Sequence, residues 1–304
     1  MREYATPAAF RAAAETRLRE RARRLSAPAY MVRRQAALER LLLRLMKVAP
    51  DRWALKGGLA LETRFGEHAR VSTDVDADHV HGADAARADL QRAAIEDVGD
   101  HFSFALVGSE ELCDAGVGLA VRYKLDSALA GRPFEPLQVD VTIAPPDPWD
   151  AQSLWRPGLL AELGLDPFEV LLIPLERQVA EKLHACTRTY EGGGTTRARD
   201  LVDLLLINQH EHVDAGLLQV AIQRVFHRRA THGVPDRLPP PPPALAIAFR
   251  REARGVSTVA GLEEAHQLLA QWLDPVLAEI HDIDRRGPGS RSKSNRVGCP
   301  PSLE

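Results

Sequence analysis

Apolar residues fall into two spacings along this chain, and the spacing changes partway. Between residues 28 and 48, Leu38, Leu41, Leu42 and Leu45 recur at i, i+3, i+4 and i+7, which predicts a helix with one buried face. A second helix is predicted over 7–25, with the break "SAP" between the two. From residue 53 onward, short strand-like runs take over at 53–55, 75–80, 102–107, 119–125 and 137–143. A short helix at 58–65 and an alanine-rich one at 83–98 interrupt them. In the last run Leu137, Val139, Val141 and Ile143 alternate with Gln138, Asp140 and Thr142, so one face is apolar and the other polar.

Beyond the punctuation "PPDPWD" at 145–150, the helical spacing returns. The run "EVLLI" reads as a strand that turns at Pro174 into a helix. A glycine loop at 192–194, helices in "TTRARDLVDLLLINQ" and at 215–229, and a stiff proline connector follow. A last helix over 258–281 carries Leu262, Leu268, Leu269, Leu273 and Leu277. The tail from Arg285 is rich in Gly, Ser, Pro and Arg and reads as disordered. The expected organisation is N-terminal helices over 1–50, a core with a small mixed sheet over 51–150, a mostly helical region over 151–284, and a basic tail over 285–304.

Composition narrows the class of protein. Hydrophobic residues make up 45% of the 304, and no run approaches the ~20 apolar residues that span a bilayer. The arginine-rich start carries Glu3, Glu15 and Glu20 and has no apolar centre, so neither a transit peptide nor a secretory signal fits. Three cysteines without metal-ligand spacing suit a reducing compartment. The expectation is a cytoplasmic protein with no membrane partner. Its net charge of −3 leaves any polyanion to be held by local basic patches.

The chemistry concentrates in "LKGGLALETRFGEHARVSTDVDAD". Asp74 and Asp76 alternate on a strand, so their carboxylates share a face, and Asp140 joins them if its strand pairs with theirs. Carboxylates so close repel unless a cation neutralises them; Mg²⁺ suits such hard oxygen ligands, and Mn²⁺ can substitute. Gly57 and Gly58, at a strand-to-helix corner, allow close backbone approach to an anion such as a triphosphate. Lys56 sits beside them, and Ser72 shares the face of Asp74. The competing readings are plain. D-x-D often caps a helix or sits in a solvated turn. A calcium loop fails, because His79 stands where its glycine belongs and Ala85 where its glutamate belongs. His79 and His81 also alternate, yet no zinc partners can be named.

These residues resemble a family. The glycine pair with D-x-D is similar to the first motif of the AbiEii/MenT-type nucleotidyltransferase toxins, within the DNA polymerase β-like superfamily. "PLERQVAEKLHACTR" and "RARDLVDLL" resemble that family's lysine helix and its later acidic helix. The likeness covers roughly residues 40–280, although the gap from Gly58 to Asp74 is longer than usual and leaves Arg64 and Arg70 without a role. It implies an α/β (α+β) fold with a polymerase β-like nucleotidyltransferase core, and an EC 2.7.7-type enzyme dependent on Mg²⁺. The reaction implied moves a nucleoside monophosphate from an NTP, often a pyrimidine (CTP or UTP), to RNA. The tRNA 3′ end is the implied acceptor and a block of translation the outcome, with a cognate antitoxin as partner.

On that basis Asp74 and Asp76 bind metal and act in catalysis, with Asp140 as third carboxylate. Lys182 follows Leu175 and Val179 on an apolar stripe and is placed to meet a buried anion, the triphosphate. Asp200 matches the family's later acid, and helix-dipole stabilisation would also explain it. Lys56, Gly57, Gly58, Ser72 and Lys182 form the expected nucleotide site, and Arg199 stands near phosphate. The arginine-rich N-terminal helices and the basic tail are candidate RNA contacts. Two rivals share these residues: a nucleotidyltransferase acting on a small molecule or protein, and a GTP-binding protein without transferase chemistry.

Overall fold

The fold is described from a computed structural model, over residues 4–112, 118–143, 151–156, 158–188, 197–259 and 261–286. Two long helices open it, α1 (Pro7–Arg24) and α2 (Ala29–Val48). Thr6 starts the first, its hydroxyl accepting from the Ala9 amide at 3.1 Å, and Pro7 follows where a missing N–H costs nothing. The leucine face of α2 is buried as its spacing predicts, each side chain worth roughly 1.5–3 kcal/mol. Arg40 and Arg44 lie among those leucines and reach the buried Asp100 at 2.7 and 2.6 Å.

Among the described residues seven strands form one sheet in the order β3-β4-β5-β2-β1-β7-β6. They are β1 (Trp53–Lys56), β2 (Val75–His79), β3 (Phe102–Leu112), β4 (Ala120–Leu129), β5 (Arg132–Ile143), β6 (Gln152–Arg156) and β7 (Phe168–Leu172). The sheet is mixed: β2 runs parallel to β5 and β1 to β7, while the other neighbours are antiparallel. Helix α3 (Gly57–Phe65) leaves β1 directly, and α4 (Ala83–Ile95) packs on β3 and α2.

Among the described residues five helices follow: α5 (Leu175–Thr187), α6 (Arg197–His210), α7 (Ala215–Arg229), α8 (Ala246–Ala253) and α9 (Leu262–Arg286). Two buried apolar clusters result. One holds α1, α2 and α4 against the sheet, and the other gathers α5 to α9. Helix α3 belongs to both, giving Leu59 and Ala60 to the first and Leu61 and Phe65 to the second. It therefore couples the sheet to the helical layer, and its N-terminus opens between them.

The expected strands and helices are present, with β3, β4 and β5 longer than their apolar cores suggested. Two elements escaped the pattern. β6 is an edge strand whose Trp155 is exposed, and α8 buries only Phe249 and Ala253. β6 and β7 extend the sheet into the stretch expected to be mostly helical. The last helix starts at Leu262 and continues through Pro275 to Arg286. The "PPDPWD" stretch, the glycine loop at 192–194 and residues 287–304 of the tail lie outside the described residues.

Candidate active site

Strand pairing places one row of charged side chains across the sheet. Glu110 on β3 pairs with Arg122 on β4, Arg122 with Asp140 on β5, Asp140 with Asp76 on β2, and Asp76 with Lys56 on β1. Residues that pair directly share a face, so the charges run minus, plus, minus, minus, plus. The signs alternate except at one step, where Asp140 and Asp76 stand side by side. Val75 and Ala77 on β2, with Val139 and Val141 on β5, point the other way into the core. Alternation therefore produces both the core face and the charged row.

Asp76 is the exceptional member of this row. Among the described residues no basic group forms an ion pair with it, whereas Asp140 takes a bidentate contact from Arg122 at 2.8 and 2.7 Å. Burial, followed by the charges of Asp140 and Asp74, pushes the Asp76 carboxyl up to about 6, although Lys56 and Lys182 oppose the shift. The carboxylate is desolvated, crowded by like charge and short of a counter-ion.

The glycine corner is built around that carboxylate. Gly57 has φ +66°, in the left-handed region, and a Cβ there would fall onto the Asp76 carboxylate. At Gly58 a Cβ would lie 2.9 Å from both Ser72 Oγ and Arg70 Nη2. Gln178 on α5 donates to Gly57 O at 2.7 Å and ties the corner to the helical layer. Ser72 is buried beside it, its hydroxyl donating to Asp74 O at 3.2 Å. The first amides of α3 thus open next to Asp74, Asp76 and Ser72, where a phosphate would find unpaired N–H donors.

Lys182 is buried at the end of this corner, so it does not snorkel to solvent. Its ammonium donates to Asp203 at 2.6 Å and Asp200 at 3.3 Å. Burial alone would lower its pKa, but the charges of Asp203 and Asp200 outweigh that and raise it. Asp203 also receives both arms of Arg70 at 2.9 Å, and its pKa is held down by Lys182 and Arg70 against the cost of burial. Asp200 meets Arg197 at 2.9 Å in the first turn of α6. Arg199 turns away to Glu252 at 3.3 Å.

Lys56 lies deeper than a solvent-facing phosphate contact would. It reaches Asp78 at 2.8 Å and Thr142 Oγ1 at 2.8 Å, and Asp78 also pairs closely with Arg177 on α5. His79 is fully buried against Asp89 at 3.1 Å and Trp53, inside the core. Arg64 donates to Gln152 and to Ile173 O, fastening α3 to β6 and β7.

Among the described residues no three Asp, Glu, His or Cys side chains already converge on one point as metal ligands. Asp140 is turned toward Arg122 instead. The donor set nonetheless fits a hard divalent cation: among the described residues Asp76 is a half-buried carboxylate without an ion-pair partner, and the like-charged Asp140 stands opposite it.

Sequence reasoning singled out Asp74, Asp76, Asp140, Gly57, Gly58, Ser72, Lys182 and Asp200, and the fold brings these to one junction. It gave no site role to Asp203, Arg70, Gln178 or Arg177. Asp203 had a signal, because it lies one turn beyond Asp200 on the same helix face. Arg70 and Gln178 act across distances of 133 and 121 residues, which no local pattern reveals.

Comparisons with known proteins bear on this arrangement. The family profile described as "Nucleotidyl transferase AbiEii toxin, Type IV TA system" matches residues 40–277. A solved structure of MenT4, a nucleotidyltransferase toxin from Mycobacterium tuberculosis H37Rv, superposes with a TM-score of 0.56 at 19% identity, covering 87% of this chain and 89% of that one. A putative nucleotidyltransferase from H. pylori gives a TM-score of 0.48 at 18% identity over 82% and 95% of the two chains. No curated protein sequence matches. At 19% identity the MenT4 likeness speaks for the fold alone, a mixed α/β nucleotidyltransferase fold; the family match spans most of the chain. The chain belongs to the AbiEii family of nucleotidyltransferase toxins of type IV toxin–antitoxin systems.

Proposed function

We propose that this protein transfers a nucleoside monophosphate from an NTP to an RNA hydroxyl, with the 3′ end of tRNA as acceptor and a pyrimidine nucleotide as donor. One observation carries the reading: Asp76 and Asp140 oppose each other at the only like-charged step of the row, beside a glycine corner that would seat phosphates. Asp74, Asp76 and Asp140 would hold a divalent cation, with Mg²⁺ the natural choice and Mn²⁺ a substitute, supplying charge that steadies the α-phosphate and the departing pyrophosphate.

The chain's own residues account for the rest. Gly57 and Gly58 let the triphosphate approach the first amides of α3, and Ser72 adds a hydroxyl donor there. Lys182 offsets negative charge as it develops, and Asp200 and Asp203 hold its ammonium in place. The acceptor oxygen forms its bond to the α-phosphorus as the bond to the pyrophosphate oxygen breaks. The hydroxyl proton passes to one of the site carboxylates. Blocked translation would follow from a tRNA end that no longer accepts an amino acid, and a cognate antitoxin would restrain the activity.

The acceptor is tested with α-³²P-labelled NTPs, each supplied in turn with Mg²⁺ and total tRNA. Half of the tRNA is first oxidised with periodate, which destroys the 3′-terminal diol. Label on intact tRNA and none on oxidised tRNA is the expected result, and the productive NTP identifies the nucleotide. Equal label on both pools, or label appearing without RNA, would move the acceptor elsewhere.

A further inference from the structure

Helix α5 presents two different faces to the junction. Gln178 and Lys182 turn toward Gly57 and Asp203, the side assigned above to the triphosphate. Arg177 and Glu181, one position earlier in each turn, face Asp78 and the end of α7. There Glu181 is surrounded: Arg177 lies at 3.1 Å, Arg229 at 3.4 Å, Arg228 at 3.6 Å and Lys56 at 3.9 Å.

Positive charge exceeds negative charge in this cluster. Among the described residues Lys56, Arg177, Arg228 and Arg229 share the anions Asp78 and Glu181. Even with Asp76 counted as a further partner of Lys56, one positive charge is left over. The dipole at the C-terminus of α7 favours Arg228 and Arg229, but Arg177 stands in the first turn of α5, where a cation is disfavoured. Arg177 is held there by the buried Asp78 and by Glu181 one turn on, yet the cluster still carries one cation more than those anions balance. The Arg228 side chain is 39% exposed and that of Arg177 20%, so the surplus faces open space. Burial lowers the pKa of Arg228, and repulsion from Arg177 adds to the effect.

We infer that Arg177, Arg228 and Arg229 form a phosphate subsite for the acceptor strand, gripping a backbone phosphodiester of the RNA whose terminal hydroxyl reacts at Asp76. The proposal rests on the RNA-acceptor reading above. Its placement follows from the strand: Asp78, which anchors Arg177, lies two residues beyond Asp76 on β2, about 7 Å along the sheet. That is near the spacing of successive phosphates, on the side of α5 away from the glycine corner. Glu181 acts as the internal counter-ion that holds the three guanidinium groups ready while no RNA is bound.

The test uses the full chain with Arg228→Glu and Arg228→Lys, because Arg228 is the most exposed of the three. Binding of a fluorescein-labelled RNA hairpin with a single-stranded 3′ overhang is followed by anisotropy across a salt series. Binding of α,β-methylene NTPs is followed by thermal shift, and label transfer to RNA is measured on the wild type in parallel. Arg228→Glu is expected to weaken RNA binding at least about tenfold and to flatten the salt slope by about 0.7–0.9. NTP-analogue binding should stay within about twofold, and Arg228→Lys should keep most of the RNA affinity. Unchanged RNA binding and slope in Arg228→Glu, with a wild type that binds and labels RNA, would overturn the subsite alone. Weakened NTP-analogue binding with RNA binding intact would overturn it in favour of a triphosphate contact. A wild type that neither binds nor labels RNA would remove the RNA-acceptor reading and the subsite together.

Discussion

At the residue scale the account turns on Asp76. Its carboxyl titrates near 6 in the folded chain against 3.8 for a free side chain, so the folded state binds the proton more tightly. The stability this confers is full below pH 3.8 and is lost as the pH rises through 6, about 3 kcal/mol in all. Asp76→Asn carries no charge to desolvate. In chelator, the variant should therefore gain on the wild type as pH rises from 5 to 7.5, by about 1.4 kcal/mol in urea melts, while losing transfer. A stability difference that stays flat over that range would show that Asp76 is not under this strain. A cation and a proton also compete for the same carboxylate, so the apparent Mg²⁺ requirement should rise steeply below pH 6.

Asp203 supplies a contrasting case. It is buried between Lys182 and Arg70, and removing it leaves two desolvated cations facing each other. Asp203→Ala should cost about 3–5 kcal/mol, read as a lower urea midpoint. A variant as stable as the wild type would mean that water reaches the pair. The D-x-D pair and Lys182 were legible because each broke a local pattern: carboxylates alternating on a strand, and a lysine on an apolar stripe. Asp203 sat in an equally apolar helix, but nothing in the sequence names Arg70 as its partner.

At the element scale the decisive feature is the corner where β1 becomes α3. The helix begins at Gly57 without a side-chain cap, because its capping position is held by Lys56, a donor drawn to Asp78 and Thr142, and the space beside Gly57 is taken by the Asp76 carboxylate. Gly57→Ala adds the left-handed backbone cost of about 1–2 kcal/mol and drives a methyl onto that carboxylate. Transfer should be lost and the melting midpoint lowered. Full activity in Gly57→Ala would mean that the corner does not approach the nucleotide. The glycine pair announced this corner in the sequence, since two adjacent glycines between apolar runs have few other uses. β6 and α8 were not legible for the opposite reason: each buries so little apolar surface that no periodicity marks it.

At the scale of the whole molecule, two apolar cores meet along α3, and the charged groups that neither core can hold collect between them. The sheet supplies Asp76 and Asp140, the bend just before β2 supplies Asp74 (expected on the strand itself), and the helical layer supplies Lys182, Asp200 and Asp203. The arginine-rich first helix has a more divided role than its composition suggested. Arg11 is spent on the carbonyls of Leu129 and Arg132, and Arg21 on Glu67, which fixes α1 against the sheet and the turn after α3. Those side chains fasten the fold, leaving the surplus charge at Arg177, Arg228 and Arg229 as the better place to look for RNA. Local patterns foretold the elements and the two motif halves, but the meeting of those halves depends on contacts more than a hundred residues apart.

The most direct test of the central claim is pyrophosphate release by wild type and Asp76→Asn, measured with all four NTPs, total tRNA and a Mg²⁺ titration at pH 7.5. The account predicts Mg²⁺-dependent release from the wild type and a loss of about a hundred- to a thousandfold in a folded Asp76→Asn protein, the scale expected when a group that stabilises transition-state charge is removed. Release that persists in Asp76→Asn, at the wild-type rate and with the same dependence on Mg²⁺, would contradict it.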